Sequence, residues 1–85
     1  MHPGDPYRQA RRCLEIIEAA LADAGAGPEA VVRTRIYVTD ASSWLDVGRA
    51  HAEFFRDAAP ATTFIVVAGF VDPAILVEIE AEAVV

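Results

Sequence analysis

The sequence has no lysine, one cysteine (Cys13), one tryptophan (Trp44) and two histidines (His2 and His51). A lone cysteine excludes an internal disulfide and fits a reducing compartment such as the cytoplasm. There is no CxxC or HExxH spacing and the two histidines are far apart, so no metal site is expected. No run of basic residues occurs, the formal net charge is -6 and the sequence pI is about 4.6. That balance argues against nucleic acid as a partner, because phosphate neutralisation needs a positive footprint. The opening Met1-His2-Pro3-Gly4-Asp5 is neither basic nor apolar enough for a signal peptide. No apolar run approaches membrane-spanning length, and repeats and low-complexity linkers are lacking.

Apolar residues are abundant instead. With 85 residues, one domain over 1–85 is expected. A domain this small buries only a modest fraction of its surface. Yet 54% of the residues are hydrophobic and the mean hydropathy is +0.30. That exceeds what one small core needs and points to a buried interface between subunits. The plainer alternative is an alanine-rich composition.

Punctuation along the chain is clear. Asp5-Pro6 reads as an N-cap followed by proline at the first helical position. Ala10, Cys13, Leu14, Ile17, Ala20, Leu21 and Ala24 then recur at helical spacing, and Gly25 with Gly27-Pro28 ends the helix. Val31 to Thr39 is a β-branched strand with Val32, Thr34, Ile36 and Val38 on one face. Asp40 to Ser43 reads as a turn, with Ser43 and Asp46 forming a capping box. A second helix runs to about Asp57 on a stripe of Trp44, Val47, Ala50, His51, Phe54 and Phe55. Thr62 to Phe70 is apolar on both faces, which suits a central strand or an interface. The last strand, Leu76 to Val85, places Glu78, Glu80 and Glu82 on one face. The order α-β-α-β-β predicts an α+β fold, with two helices on one face of a three-stranded mixed sheet. The β-α-β unit predicts parallel, adjacent first and second strands, and the last strand returns antiparallel. Nothing in the chain covers the opposite sheet face, and copies of the chain are the simplest cover.

Val31 to Asp40, Pro60-Ala61-Thr62-Thr63 and Leu76-Val77-Glu78-Ile79-Glu80-Ala81 together resemble the Rid family (YjgF/RidA-like reactive intermediate deaminases). The resemblance runs over nearly the whole chain and includes Ala24-Gly25 and Phe54-Phe55. It implies a chorismate-mutase-like fold, homotrimers with ligand pockets between subunits, a small-molecule metabolite as partner, and no organic cofactor or metal. Rid domains begin with several strands before the first helix, whereas this chain starts almost at that helix. It therefore corresponds to the C-terminal two-thirds of the family fold, with the N-terminal hairpin missing and one edge of the last strand expected to be open.

The resemblance also assigns a site. Glu78 corresponds to the family glutamate that handles the water or proton in imine hydrolysis. Thr62 stands where an arginine clamps the substrate carboxylate, and one hydroxyl does not replace a bidentate guanidinium. Gly48 stands at an asparagine position and Phe64 at the pocket cysteine position. Glu78 is thus the candidate general acid/base, with Thr62, Phe64 and Gly48 as ligand-binding candidates. The alternative for Glu78 is a sheet-surface carboxylate. For Glu80 and Glu82 a cross-strand ladder with Arg33 and Arg35 is favoured. His51 reads as a packed core histidine, Cys13 as a small hydrophobe, and Trp44 as packed at its helix start. Two functions follow: a metabolite-binding protein, with enamine or imine hydrolysis as its enzymatic form, and a non-catalytic assembly or ligand-sensing module or inactive remnant. Some relatives carry the labels endoribonuclease or translation inhibitor, and the acidic charge argues against RNA as substrate here.

Overall fold

The computed structural model describes residues 2–85, so the start of the signal-peptide reading, at Met1, lies outside the described residues. Helix α1 spans Pro6–Asp23, strand β1 Val31–Val38, helix α2 Trp44–Phe55, strand β2 Ala61–Val66 and strand β3 Val77–Ala83. The sheet order is β2-β1-β3, with β1 parallel to β2 and antiparallel to β3. The expected α+β order and mixed sheet are both present.

Local chemistry sets the limits of α1. The Asp5 carboxylate accepts from the Arg8 backbone N–H at 3.0 Å, and Pro6 follows at the first helical position. At the other end Gly25 takes φ 78°, its N–H donates to Ala22, and the Ala26 N–H donates to Leu21 at 2.8 Å. This paired closure satisfies carbonyls that the last turn would otherwise leave open. Leu14 and Ala10 are buried as the stripe predicts, while Ala20 and Ala24 are exposed. Gln9, polar and outside the predicted stripe, is buried.

Four expectations need correction. First, the register of β1 shifts between Val31 and Arg33. This bulge turns Val31 inward, at 3% exposure, and leaves Val32 at 51%, so Val32 does not share the core face of Thr34, Ile36 and Val38. Second, Ser43 makes no capping bond. Asp40 instead accepts from the Ser42 N–H at 2.9 Å and hydroxyl at 2.8 Å, closing a short 3-10 turn, Ala41–Ser43, before α2. Those two bonds hold the Asp40 carboxyl below its usual range. Third, Trp44 is 57% exposed rather than packed. Fourth, β2 stops at Val66 and is an edge strand whose residues are mostly exposed, while β1 takes the centre, which overturns the central placement and leaves the interface alternative.

The core lies between the helices and one sheet face. Leu14, Ile36, Val38, Val47 and Val77 are its largest fully buried apolar side chains. Phe55 closes it from the end of α2, with the His51 ring 4.6 Å from it on one side and Phe54 edge-on at 4.8 Å on the other.

Candidate functional site

Thr62 lies on β2 directly beside Thr34 of β1. The two hydroxyl oxygens are 3.0 Å apart. Thr34 is completely buried, and its hydroxyl sits 2.8 Å from His51 Nε2, reaching down from α2. Thr62 is also 3.4 Å from that nitrogen and donates to the Pro60 carbonyl at 3.0 Å. His51 is therefore more than an apolar filler: it anchors a polar network inside the sheet–helix layer. Burial pushes its pKa below the ordinary 6.5, which favours the neutral imidazole.

Phe64 follows Thr62 on the same face of β2 and approaches α2 at Gly48. A Cβ built on Gly48 would stand 3.9 Å from Phe64 Cζ, an ordinary contact, so the glycine is not demanded by space. Phe64 is 38% and Val66 58% exposed. The structure thus gathers Thr62, Phe64, Gly48 and His51 on one face, beside an apolar surface open to solvent.

Glu78 lies elsewhere. It pairs with Tyr37, whose neighbours Ile36 and Val38 point into the core. Alternation along both strands places Tyr37 and Glu78 on the far sheet face. Glu78 is exposed, and it borders a groove of about 300 Å³ between α1 and the outer edge of β3, shared with Cys13, Ile16 and Val77. Burial raises the Cys13 thiol, with the Glu78 charge acting in the same direction, so the thiol form is favoured there. Within one chain, then, the four predicted site residues do not converge.

The far face carries the charge ladder. Arg33 Nε and Arg35 Nη1 both lie 3.7 Å from Glu82 Oε1. Glu80, opposite Arg35 in the register, instead accepts from the Tyr37 hydroxyl at 2.5 Å. That bond raises the Tyr37 pKa. The expected Arg–Glu pairing is therefore present for Glu82, and Glu80 is held by a tyrosine that the sequence reading left out. Tyr37 shares the outward alternation of Arg33 and Arg35, which was the available signal.

Gln9 and Thr34 were also missed as organising residues. The Gln9 amide donates to the His2 and Ala74 carbonyls at 3.0 and 2.9 Å, and its oxygen accepts from the Leu76 N–H at 2.7 Å. It thereby fixes the entry to β3, two positions before Glu78. Thr34 was detectable as a hydroxyl in the middle of an apolar strand face, opposite a histidine on an apolar helix stripe.

A larger cavity of about 600 Å³ lies between the helices, lined by Tyr7, Arg11, Glu15, Glu53 and Arg56 among others. It includes none of the predicted site residues. Arg49 is occupied nearby, stacked 3.9 Å over the Tyr7 ring and 3.6 Å from Asp46. Among the described residues no group of three His, Cys, Asp or Glu side chains is placed to hold a metal ion. No helix is long and apolar enough to cross a membrane.

Comparison with known proteins bears on the family and the fold. The endoribonuclease L-PSP family model matches residues 1–85. The chain is 33% identical over 83 residues to 3-aminoacrylate deaminase RutC of Acinetobacter baylyi, covering 98% of this chain and 65% of that protein. A crystal structure of a YjgF/YER057c/UK114 family member from Mycobacterium tuberculosis has a TM-score of 0.87 at 50% identity, covering 89% of this chain and 64% of that one. The Rid family protein YyfA from Yersinia pestis has a TM-score of 0.92 at 31% identity, covering 100% of this chain and 68% of that one. The chain spans less than two thirds of the length of the first curated relatives it matches. It belongs to the Rid family, also described as the endoribonuclease L-PSP family, and has that family's chorismate-mutase-like α+β fold.

Proposed function

We propose that this chain acts as one Rid domain that assembles as a homotrimer and binds a small metabolite in clefts between subunits. One observation carries the reading: Thr62 and Phe64 lie on the sheet face towards α2, with Gly48 of that helix beside Phe64, and Glu78 lies on the other face. A cleft using both sets needs a second copy, which brings its Glu78 to the first copy's Thr62. The exposed Phe64, Val66 and Val32 supply apolar surface for such an interface.

The chemistry best suited to the cleft is hydrolysis of an enamine or imine, as the name of the relative RutC suggests. Protonation of the enamine carbon by a proton from solvent gives an iminium ion. Water adds to its C=N carbon and passes a proton to the Glu78 carboxylate; Glu78 returns that proton to the nitrogen, and ammonia leaves as the carbonyl forms. No metal or organic cofactor enters this scheme, and the reducing cytoplasm suits the lone thiol.

Sedimentation and a deaminase assay with 2-aminoacrylate test the proposal. A trimer is expected, and Glu78→Gln abolishes whatever turnover the wild type has. Thr62 supplies no charge-assisted clamp, so turnover runs at least roughly tenfold below that of an arginine-bearing relative. A monomer removes the shared cleft, and turnover equal to such a relative defeats the Thr62 argument. A trimer without turnover supports the second reading, a ligand-sensing or assembly module. The missing guanidinium at Thr62 favours that reading.

A further inference from the structure

The Thr62 network holds fewer hydroxyl protons than contacts, which limits what the cleft can recognise. Thr62 has one hydroxyl proton and three partners: the Pro60 carbonyl at 3.0 Å, Thr34 Oγ1 at 3.0 Å and His51 Nε2 at 3.4 Å. Thr34 also has one proton, and it is fully buried between Thr62 and His51 Nε2 at 2.8 Å. If the imidazole proton is on Nε2, the chain runs one way: His51 donates to Thr34, Thr34 to Thr62, and Thr62 to the Pro60 carbonyl. Every short contact is then satisfied. If the proton is on Nδ1, Thr34 donates to Nε2, and Thr62 donates to Thr34 or to Pro60. A protonated ring restores the first direction. In all three states the Thr62 proton is used inside the protein, and what remains to face outward is an oxygen lone pair.

We propose that Thr62 meets its ligand as a hydrogen-bond acceptor, so the cleft prefers an amide, amine or hydroxyl group to a carboxylate, in line with the lowered turnover expected for 2-aminoacrylate. This rests on the placement of the cleft at Thr62, Phe64 and Gly48 under the proposed function. A carboxylate brings no proton and sets its charge against the negative end of the Thr62 dipole. An uncharged N–H donor finds an acceptor already oriented by two fixed neighbours. Phe64 is 38% exposed next to it and offers a flat apolar wall, so an aromatic or aliphatic amide fits the surroundings. Thr34 and His51 are positioning residues in this scheme: they touch Thr62, not the ligand.

The test uses the full chain labelled with nitrogen-15 and titrated separately with benzamide and benzoate. Benzamide is expected to shift the backbone amides of Thr62, Phe64 and Gly48, with benzoate binding at least roughly tenfold more weakly. Thr62→Val removes the oxygen at nearly constant volume and loses the preference, while Thr62→Ser keeps it. Thr62→Arg supplies donors and reverses it in favour of benzoate. Equal binding of the two probes by the wild type, or an unchanged preference in Thr62→Val, overturns the acceptor assignment. Benzoate binding by Thr62→Arg, when the wild type binds neither probe, overturns the assignment and leaves the cleft standing. Binding of neither probe by any variant removes the cleft and the assignment together. Should Thr62→Val fail to fold, the serine and arginine variants decide alone.

Discussion

At the scale of single residues, Gln9 does more for the site than its place in the sequence suggests. Its amide closes three bonds to the His2 and Ala74 carbonyls and the Leu76 N–H. Gln9→Leu matches the burial but leaves the Leu76 N–H and Ala74 C=O without a partner. We expect a loss of about 2–3 kcal/mol in urea unfolding, the size of one or two buried groups left unsatisfied. Gln9→Glu keeps the acceptor for Leu76 and loses the donor to Ala74, so both the bond pattern and the charge make it an intermediate to severe variant. A loss below about 0.5 kcal/mol for Gln9→Leu would show that water takes over these bonds. Helical spacing could not reveal Gln9, because a polar residue one position off an apolar stripe normally points to solvent. Its burial follows from the path of the segment before β3, which is remote in sequence.

At the scale of elements, the β1–β3 pair joins two kinds of interaction on opposite faces. The outer ladder of Arg33, Arg35, Tyr37, Glu80 and Glu82 is partly solvated, with side-chain exposures of 38–59% in its ion pairs. Such pairs contribute little. Arg35→Ala is expected to cost less than about 1 kcal/mol, and less still in high salt. Ile36, its neighbour on the inner face, is completely buried, and Ile36→Ala is expected to cost about 2–5 kcal/mol. Chemical denaturation of the two variants compares the faces directly; equal losses would mean that the ladder is structural. The alternation that separates these faces was legible from Arg33 to Val38. The bulge at Val31 was not, because the extra residue is fitted to the partner strand and leaves no mark in a β-branched run.

At the scale of the whole molecule, the buried imidazole links folding to pH. Burial lowers the His51 pKa in the folded chain below its ordinary 6.5. Between the two values the unfolded chain binds more protons, so stability rises with pH there. The full contribution is present above the unfolded value and is lost as pH falls towards the folded one. Thermal unfolding followed from about pH 7.5 to 5.5 should therefore show a falling Tm, and His51→Gln should flatten that slope. An unchanged slope in the variant would assign the effect to other groups. The same imidazole holds Thr34 and Thr62, and the protonated ring still donates to Thr34, so acidification costs stability through the buried charge and leaves the network connected.

The sequence by itself determined what local chemistry controls. Asp5-Pro6 and Gly25 mark the ends of α1, apolar spacing forms both helices, and β-branched runs form the strands. The β-α-β order dictates the parallel pair, because a right-handed crossover leaves one arrangement. Only the tertiary structure decided which strand is central, that Val31 and not Val32 turns inward, and that Trp44 stays in solvent. It also separated Glu78 from Thr62 across the sheet and joined Thr62 to His51 through Thr34. The physical reason is range: caps, turns and periodicity act within a few residues, whereas a side chain's face and partners are set by whichever distant strand or helix packs beside it.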